Sequence, residues 1–311
     1  MAATQAERSG GAPPGQPEGA VHRGMSRRRG VIPYYLMGPA GIYLLIFLIL
    51  PLFMLVYTSL QSGGLLSGGF TFTWEFSNYA DTLSEYSTQY LRSVEYAAIA
   101  TVACLLLAYP MMYWIAFYGG RRKASFLLLI LLPFFVTFVI RAVMWKFILA
   151  DDGIVLGPLK TLGLLPDTYH VLATPLAVVA GLTYNYLVFT ALPIYVALER
   201  IDKRLVEAAK DLYASRWEAF AKVVWPLSLP GVFAAFLLTF VPATGDYVEA
   251  SVLGGPGTTM IGNIIQTKYL YSNAYPDAAA LSVVLMIAMV IVVSIYARAL
   301  GTEEVARAAA A

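Results

Sequence analysis

The sequence predicts an all-α membrane protein with six transmembrane helices, and its composition, mean hydropathy and charge spacing carry that prediction. Of the 311 residues, 59% are hydrophobic and 13% are charged, whereas about 25% of residues are charged in a soluble globular protein. The mean hydropathy is +0.67. Because too few charges remain to cover a soluble protein of this size, these values exclude a soluble enzyme.

Six stretches without Asp, Glu, Lys, Arg or His are long enough for helices that cross a bilayer, which need about 17–25 residues. A helix is expected in each stretch because lipid offers no partners for backbone N–H and C=O groups. The predicted helices are Tyr35–Leu60, Arg92–Tyr118, Ser125–Ile148, Val171–Ala197, Gly231–Val252 and Ala279–Ala297. The first uncharged stretch is longer than one span, and its Gly- and Ser-rich residues 61–69 predict a loop.

The basic residues predict the orientation of these helices. Of the 21 Lys and Arg residues, 16 fall in the N-terminal tail, in the loops after helices 2 and 4, and in the C-terminal tail. Since basic loops stay on the cytoplasmic side, both termini are predicted to be cytoplasmic. Residues 1–32 are predicted to be a disordered basic tail, residues 33–300 a transmembrane domain, and residues 301–311 a short cytoplasmic tail.

The cytoplasmic loop 199–231 is the longest charged segment of the chain. Asp202 is placed to cap the first helix of this loop, and a second short helix is expected at about Trp217–Val224. Large apolar side chains, among them Leu212 and Trp217, stand between the charges. Exposed apolar surface with a charged rim is typical of a partner surface, and a loop that is only solvated is the alternative.

The same loop resembles the EAA loop of ABC-importer permeases. The matching residues are Glu207-Ala208-Ala209, Asp211-Leu212, Ala214, Phe220, Val223, Pro226-Leu227 and Pro230-Gly231, with the spacing of the family pattern. The resemblance implies a type I ABC importer permease fold for residues 33–300. It also implies that loop 199–231 holds a coupling helix, which seats in a cleft of a cytoplasmic ABC ATPase.

The resemblance assigns a set of residues to ATPase coupling, namely Glu207, Ala208, Ala209, Asp211, Leu212, Tyr213 and Ala214. Glu207 would make the polar contact, and the two alanines would allow close approach. Asp211 would help to hold the hairpin. The family has a glycine at the position of Tyr213, where a sharp turn needs a permissive backbone. Tyr213 is therefore expected to take a helical or bridge conformation, or to shift the turn to Ala214-Ser215.

Further segments resemble the spermidine/putrescine permeases, and among them the first of the two paired subunits. These segments are Tyr184-Asn185-Tyr186, Pro193-Ile194-Tyr195, Ile140–Trp145, Pro242–Val248 and Ile261–Ile265. The resemblance implies a polyamine as the solute, with ferric iron, thiamine or an aminophosphonate as alternatives. The partners that it implies are a cytoplasmic ABC ATPase dimer, a second homologous permease subunit, and an extracytoplasmic solute-binding protein.

The outer charges agree with a cationic solute. Ten acidic and five basic residues fall on the predicted outer side and its helix ends, and such an excess of acids attracts a polyamine. The alternative is that acids are in excess there only because Lys and Arg are kept on the cytoplasmic side. Ionisable residues near membrane depth usually face a cavity or a partner. Tyrosine rings either bind ammonium groups or anchor helix ends in the interface. The residues predicted for the substrate path are Tyr184, Asn185, Asp246, Tyr247 and Glu249.

Several kinds of chemistry are missing from the sequence. It has no G-x-x-x-x-G-K-S/T phosphate loop and no catalytic motif, so we predict that the chain is not an enzyme and that the partner ATPase uses ATP and Mg. One cysteine and two histidines predict no metal site or other cofactor. Contact with membrane lipid is expected, and contact with nucleic acid is not. A six-helix secondary transporter or channel is the alternative of another class, and it predicts either charges inside several helices or internal inverted repeats with broken segments.

Overall fold

The computed structural model describes residues 32–64 and 68–309 and divides the chain into two compact units, Met1–Met54 and Leu55–Ala311. Within the described ranges, five helices are long and apolar enough to cross a membrane, and a sixth span results if one bent helix pair counts as a single span. The chain is therefore a helical membrane protein. Residues 1–31 of the predicted N-terminal tail lie outside the described residues.

The elements alternate long apolar helices with short connecting ones. In chain order they are α1 (Ile32–Ser59), β1 (Gln61–Gly64), β2 (Gly69–Phe72), α2 (Ser77–Tyr118), α3 (Lys123–Leu131), α4 (Phe138–Ile148), α5 (Leu156–Thr161), α6 (Pro175–Glu199), α7 (Lys203–Asp211), α8 (Arg216–Ala219), α9 (Trp225–Thr244), α10 (Val248–Val252), α11 (Ile261–Gln266) and α12 (Tyr275–Ala309).

Helix α1 is apolar on all sides over its described side chains. Residues 41–50 are all exposed, and the rings of Tyr43 and Phe47 lie 4.4 Å apart along the helix. A helix with no polar face is typical of a membrane span. Its bounds agree with the predicted first helix to within three residues at its start and one at its end.

The centre of the second unit is built from α2, α6 and α9, which pack on one another, and from α12, which packs on α2. Fully buried small residues such as Ala97 allow the helix backbones to approach closely. Where α6 crosses α9, a Cβ added to Gly231 would overlap the Cβ of Ala197. The hydroxyls of Thr190 and Thr239 form a buried hydrogen bond of 2.7 Å between the same two helices.

The predicted third helix, Ser125–Ile148, is wrong as a continuous helix. Helices α3 and α4 are bent by 90° relative to each other. A 3-10 turn with Pro133 follows α3, and Val136 and Thr137 are extended. Proline removes a backbone donor and clashes with the preceding turn, so the helix stops there. Whether this pair forms one span decides between five and six spans.

The other long helices differ from the prediction mainly at their ends. Helix α2 starts at Ser77 rather than Arg92, with a kink at Tyr86 where the backbone leaves the helical region. The predicted fifth helix, Gly231–Val252, is interrupted after Thr244, and α10 is a separate helix. Helix α12 continues to Ala309, so most of the predicted C-terminal tail is helical.

A small antiparallel hairpin replaces the loop predicted for residues 61–69. Strand β1 pairs with β2 in a register that sets Gln61 opposite Phe72. Aromatic residues on β2 and after it stabilise the hairpin, since Phe72 stacks on Tyr57 at 4.8 Å and contacts Trp74 at 4.9 Å. The fold is thus not strictly all-α.

Candidate functional site

The hairpin between α6 and α9 is formed by two short helices whose first turns are both capped. The side chain of Asp202 accepts a 2.9 Å hydrogen bond from the N–H of Arg204, as the sequence predicted. Ser215 and Glu218 form a capping box at the start of α8, with hydrogen bonds of 3.2 and 2.9 Å. The predicted second helix begins at Arg216, and a π-helical turn over residues 220–224 joins it to α9.

The turn between these helices corrects the expectation for Tyr213. Its φ is +61°, so it lies in the left-handed region and not in a helical or bridge conformation. The N–H of Tyr213 donates to the Lys210 carbonyl at 2.9 Å, and that of Ala214 donates to the Ala209 carbonyl at 3.0 Å. These two bonds are the Schellman motif, which usually places glycine at the left-handed position. The turn has not shifted, and a tyrosine occupies the glycine position.

The residues predicted for ATPase coupling lie together on this hairpin and are solvent-accessible. Glu207, Ala208 and Asp211 are exposed, whereas Ala209 and Ala214 are half-buried. Large apolar side chains stand out at the tip, since Leu212 is 82% exposed and Tyr213 is 97% exposed. Exposure of such apolar side chains to water is unfavourable, and an exposed apolar patch of this kind is typical of a partner surface.

A second group of predicted residues is buried in the bundle. Asp246 and Glu249 are almost completely buried, and each carboxylate meets a side chain of α6. The hydroxyl of Tyr186 donates to Asp246 Oδ2 at 2.9 Å, and the side-chain amide of Asn185 donates to Glu249 Oε1. Asp246 Oδ1 also accepts from the N–H groups of Val248 and Glu249, at 2.8 and 3.1 Å. Asp246 thereby caps α10, where the sequence predicted a continuous helix.

This cluster keeps polar atoms without a hydrogen-bond partner among the described residues. They are Glu249 Oε2, Asn185 Oδ1 and, on nearby α4, Arg141 Nε. A Cβ on Gly181 would overlap Glu249 Oε2, so the carboxylate fits only because that position is glycine. Unpaired buried acceptors are costly, and they can receive hydrogen bonds from a ligand or from a moving side chain.

The two other predicted path residues are not part of this cluster. Tyr184 packs its ring 5.2 Å from Trp145 and lines a cavity of about 250 Å³, and Arg141 of the cluster lines the same cavity. The guanidinium of Arg141 lies 4.4 Å from the centre of the Phe134 ring. Tyr247 is 44% exposed, and its carbonyl accepts a 2.8 Å hydrogen bond from Asn263.

The sequence reasoning missed three residues of the cluster. Tyr186 belongs to the segment Tyr184-Asn185-Tyr186, and its ring could bind an ammonium group, but it is not among the residues predicted for the path. Arg141 lies in the segment Ile140–Trp145 and is not among them either, and neither is Gly181. A signal existed for Tyr186, because it directly follows Asn185 in an apolar helix. No sequence signal marks Gly181, since its role depends on the opposing helix.

Some of the acids that the sequence predicts on the outer side are neutralised locally. Asp151 accepts a 3.0 Å hydrogen bond from Lys160 and contacts His170 Nδ1 at 2.6 Å. The hydrogen bond from Lys160, followed by the one from His170, holds the pKa of the Asp151 carboxyl below its usual range. Asp277 is likewise paired with Lys268 at 3.0 Å. The predicted excess of outer acids is therefore weaker than a count of charges suggests.

The fold is that of an ABC importer permease. It matches the crystal structure of a bacterial ABC transporter involved in the import of the acidic polysaccharide alginate, with a TM-score of 0.60 and 21% identity over 87% of this chain and 96% of that chain. It matches equally well a structure of the bacterial alginate transporter in complex with a periplasmic protein that carries an alginate pentasaccharide, with a TM-score of 0.60 and 21% identity over 86% of this chain and 93% of that chain.

The family model for the binding-protein-dependent transport system inner membrane component matches residues 31–302, and the chain belongs to that family. It is similar to the spermidine/putrescine transport system permease protein PotB of Haemophilus influenzae, with 34% identity over 83% of this chain and 90% of the relative. The Escherichia coli protein of the same name is 34% identical over 83% of this chain and 94% of the relative. The chain is thus a permease subunit of an ABC importer, and these matches give no support to the channel or secondary transporter.

Proposed function

We propose that this permease subunit imports a polyamine of the spermidine or putrescine type. The observation that carries the proposal is the 34% identity to two permeases named for these solutes, over nearly the whole length of both. The buried carboxylates add a chemical reason. A polyamine is a chain of ammonium groups separated by methylenes, and it needs acceptors set in apolar surroundings.

Asp246 and Glu249 supply such acceptors in this proposal. Carboxylates buried in a membrane domain are costly and usually functional. Glu249 Oε2 and Asn185 Oδ1 lack hydrogen-bond donors within the described ranges, so an ammonium group could donate to both. Charge-assisted hydrogen bonds are about twice as strong as neutral ones. Tyr184 and Tyr247 would contact the solute before or after the cluster, since they lie outside it.

The topology that we propose has six spans, with α3 and α4 forming one bent span and both termini in the cytoplasm of a bacterial cell. The support is the asymmetry of Lys and Arg. Residues 33–300 form the permease domain, and residues 1–32 and 301–311 flank it. A second homologous permease subunit completes the path, because one chain of five or six helices does not enclose it, and a solute-binding protein delivers the polyamine from outside.

Energy enters at the cytoplasmic hairpin. An ABC ATPase dimer, which binds the ATP and Mg, contacts the solvent-accessible residues of the hairpin tip, namely Glu207, Ala208, Ala209, Asp211, Leu212, Tyr213 and Ala214. The support is the exposure of this tip and its resemblance to the EAA loop. Movement of the ATPase is passed on through the hairpin to α6 and α9 as a rigid-body shift.

The experiment that tests these proposals is ATP hydrolysis by the reconstituted complex with its binding protein, while spermidine is titrated. Glu249→Gln removes one charge at nearly constant shape, and Asp152→Asn is the matched control, because Asp152 is an exposed outer acid. We expect spermidine to stimulate hydrolysis in the wild type and the control, and Glu249→Gln to need more than tenfold more spermidine, since charged hydrogen bonds contribute about 1.5–3 kcal/mol.

Glu207→Ala separates coupling from solute recognition. We expect this variant to keep basal hydrolysis and to lose stimulation at every spermidine concentration. Stimulation by thiamine, a ferric complex, an aminophosphonate or molybdate, but not by spermidine, would discard the polyamine and keep the permease. Full stimulation of Glu207→Ala would remove Glu207 from the coupling contact.

A further inference from the structure

Two adjoining cavities lie beside the hairpin, at the cytoplasmic end of α2. The first has a volume of about 290 Å³, and charged side chains of the hairpin line it, namely Lys203, Glu207, Lys210 and Arg216. The second has a volume of about 480 Å³ and is lined by aromatic rings, Pro110 and Arg216. Because the two share Arg216 and three aromatic residues, one ligand that is charged at one end and apolar along its length fits both.

Lys203, Lys210 and Arg216 form a basic rim around the first cavity. None of these three side chains has an ion pair or hydrogen bond to the described part of the chain. Glu207 is the one acid that lines this cavity, so the three bases leave a positive excess. The nearby Glu218 is already engaged, since it accepts from the Ser215 N–H and pairs with Lys222. The rim therefore favours an anion.

The second cavity is an aromatic groove, formed by Tyr109, Tyr113, Tyr118, Trp217 and Phe220. Phe220 lies at its centre, with ring distances of 5.6 Å to Tyr113 and 5.4 Å to Trp217. Tyr118 and Trp217 are more than 60% exposed. From Tyr118 at the end of the span, the groove follows α2 for nine residues to Tyr109, which corresponds to about 14 Å. Aromatic rings at a span end sit at headgroup depth, so the groove leads from there towards the acyl chains.

We propose that the rim and the groove together bind one anionic phospholipid of the cytoplasmic leaflet. The phosphate lies at the basic rim, and an acyl chain lies along the aromatic groove. A soluble anion would use the rim alone, and an apolar partner helix would leave the three bases unpaired. The site lies on the same hairpin as Glu207, so the bound lipid would hold the hairpin at a fixed depth. This proposal does not depend on the identity of the transported solute.

The test uses the full-length chain, purified in detergent and titrated with dioleoyl phosphatidylglycerol or dioleoyl phosphatidylcholine, with bound lipid counted by native mass spectrometry. Each basic residue near an anionic headgroup contributes about 1 kcal/mol, or about fivefold in affinity. We expect Arg216→Gln and Lys210→Gln each to weaken phosphatidylglycerol binding about fivefold. Arg204→Gln is the matched control, because Arg204 is an exposed base of α7 that lines neither cavity, and it should bind like the wild type.

A separate variant tests whether the aromatic groove binds the acyl chain. Trp217→Ala should weaken dioleoyl phosphatidylglycerol but not the short-chain dihexanoyl form, whose chains do not fill the groove. Equal affinity for the two headgroups, or equal loss in Arg204→Gln and Arg216→Gln, would overturn the proposal. Inorganic phosphate that displaces the lipid at equal concentration would reduce the site to an anion site. Loss of the lipid when the ATPase binds would assign the groove to the ATPase instead.

Discussion

Replacing Tyr213 by glycine should stabilise the hairpin formed by α7 and α8. Tyr213 has a φ of +61° and is 97% exposed, so no packing of its ring inside the chain offsets the backbone strain. The left-handed conformation costs a residue other than glycine about 1–2 kcal/mol. Glycine removes this cost but loses about 0.5–1 kcal/mol through its freedom in the unfolded chain. The expected net gain in the free energy of opening the hairpin is about 0.5–1 kcal/mol.

Amide hydrogen exchange measures this gain locally. The N–H groups of Leu212, Tyr213 and Ala214 donate the hydrogen bonds that close the turn. A gain of about 0.5–1 kcal/mol in opening free energy should slow the exchange of peptides covering residues 205–219 about two- to fivefold. Peptides of α12 should not change and serve as the internal control.

Two further variants separate the backbone from the side chain. Tyr213→Ala removes the ring but keeps the Cβ that causes the strain, so its exchange should not become slower. Tyr213→Asn should fall between alanine and glycine, because asparagine tolerates the left-handed region. If glycine speeds exchange, or if alanine slows it as much as glycine does, the turn does not store strain at this position and the reasoning fails.

Two other substitutions test the close contacts of α6. Gly231→Ala forces a Cβ against Ala197, so it should lower the stability of the purified chain in detergent by about 1–3 kcal/mol, measured by thermal unfolding. Gly257→Ala is the control, because Gly257 has open space around it, and this variant should leave the stability almost unchanged. Gly181→Ala forces a Cβ against Glu249 Oε2 and Leu253 Cδ1, so spermidine-stimulated ATP hydrolysis should fall as in Glu249→Gln and the unfolding temperature should drop as well. Unchanged stimulation would show that the position of this carboxylate does not matter.

The hairpin shows which structural features can be predicted from local sequence and which cannot. Asp202 caps α7 as predicted, because capping depends on a side chain and the backbone two residues away. Tyr213 was predicted wrongly, because propensity argues against a left-handed tyrosine. Helices α7 and α8 fix both ends of this turn. The two hydrogen bonds donated by the N–H groups of Tyr213 and Ala214 form only if Tyr213 takes the strained left-handed conformation.

The buried cluster shows the opposite case. Asn185, Asp246 and Glu249 stand out in the sequence, because polar and charged residues are rare in segments that lie in lipid. The sequence could not pair Tyr186 with Asp246, which are 60 residues apart. It also could not reveal Gly181, because a glycine that makes room for a carboxylate on another helix leaves no local pattern.

The sequence by itself determined the membrane class and the number of apolar stretches, because burial of apolar surface in lipid depends on composition and length alone. The EAA-like spacing likewise pointed to the family to which the chain belongs. Only the tertiary structure decided the bend between α3 and α4, the interruption at Asp246 and the positive φ of Tyr213. The bend lies at a 3-10 turn with Pro133, followed by two extended residues, and Tyr213 is held by the two hydrogen bonds that close its turn. Asp246 bonds to Tyr186, 60 residues away. In each case the hydrogen bonding of the folded chain outweighs helix propensity, which is all that a local pattern reports.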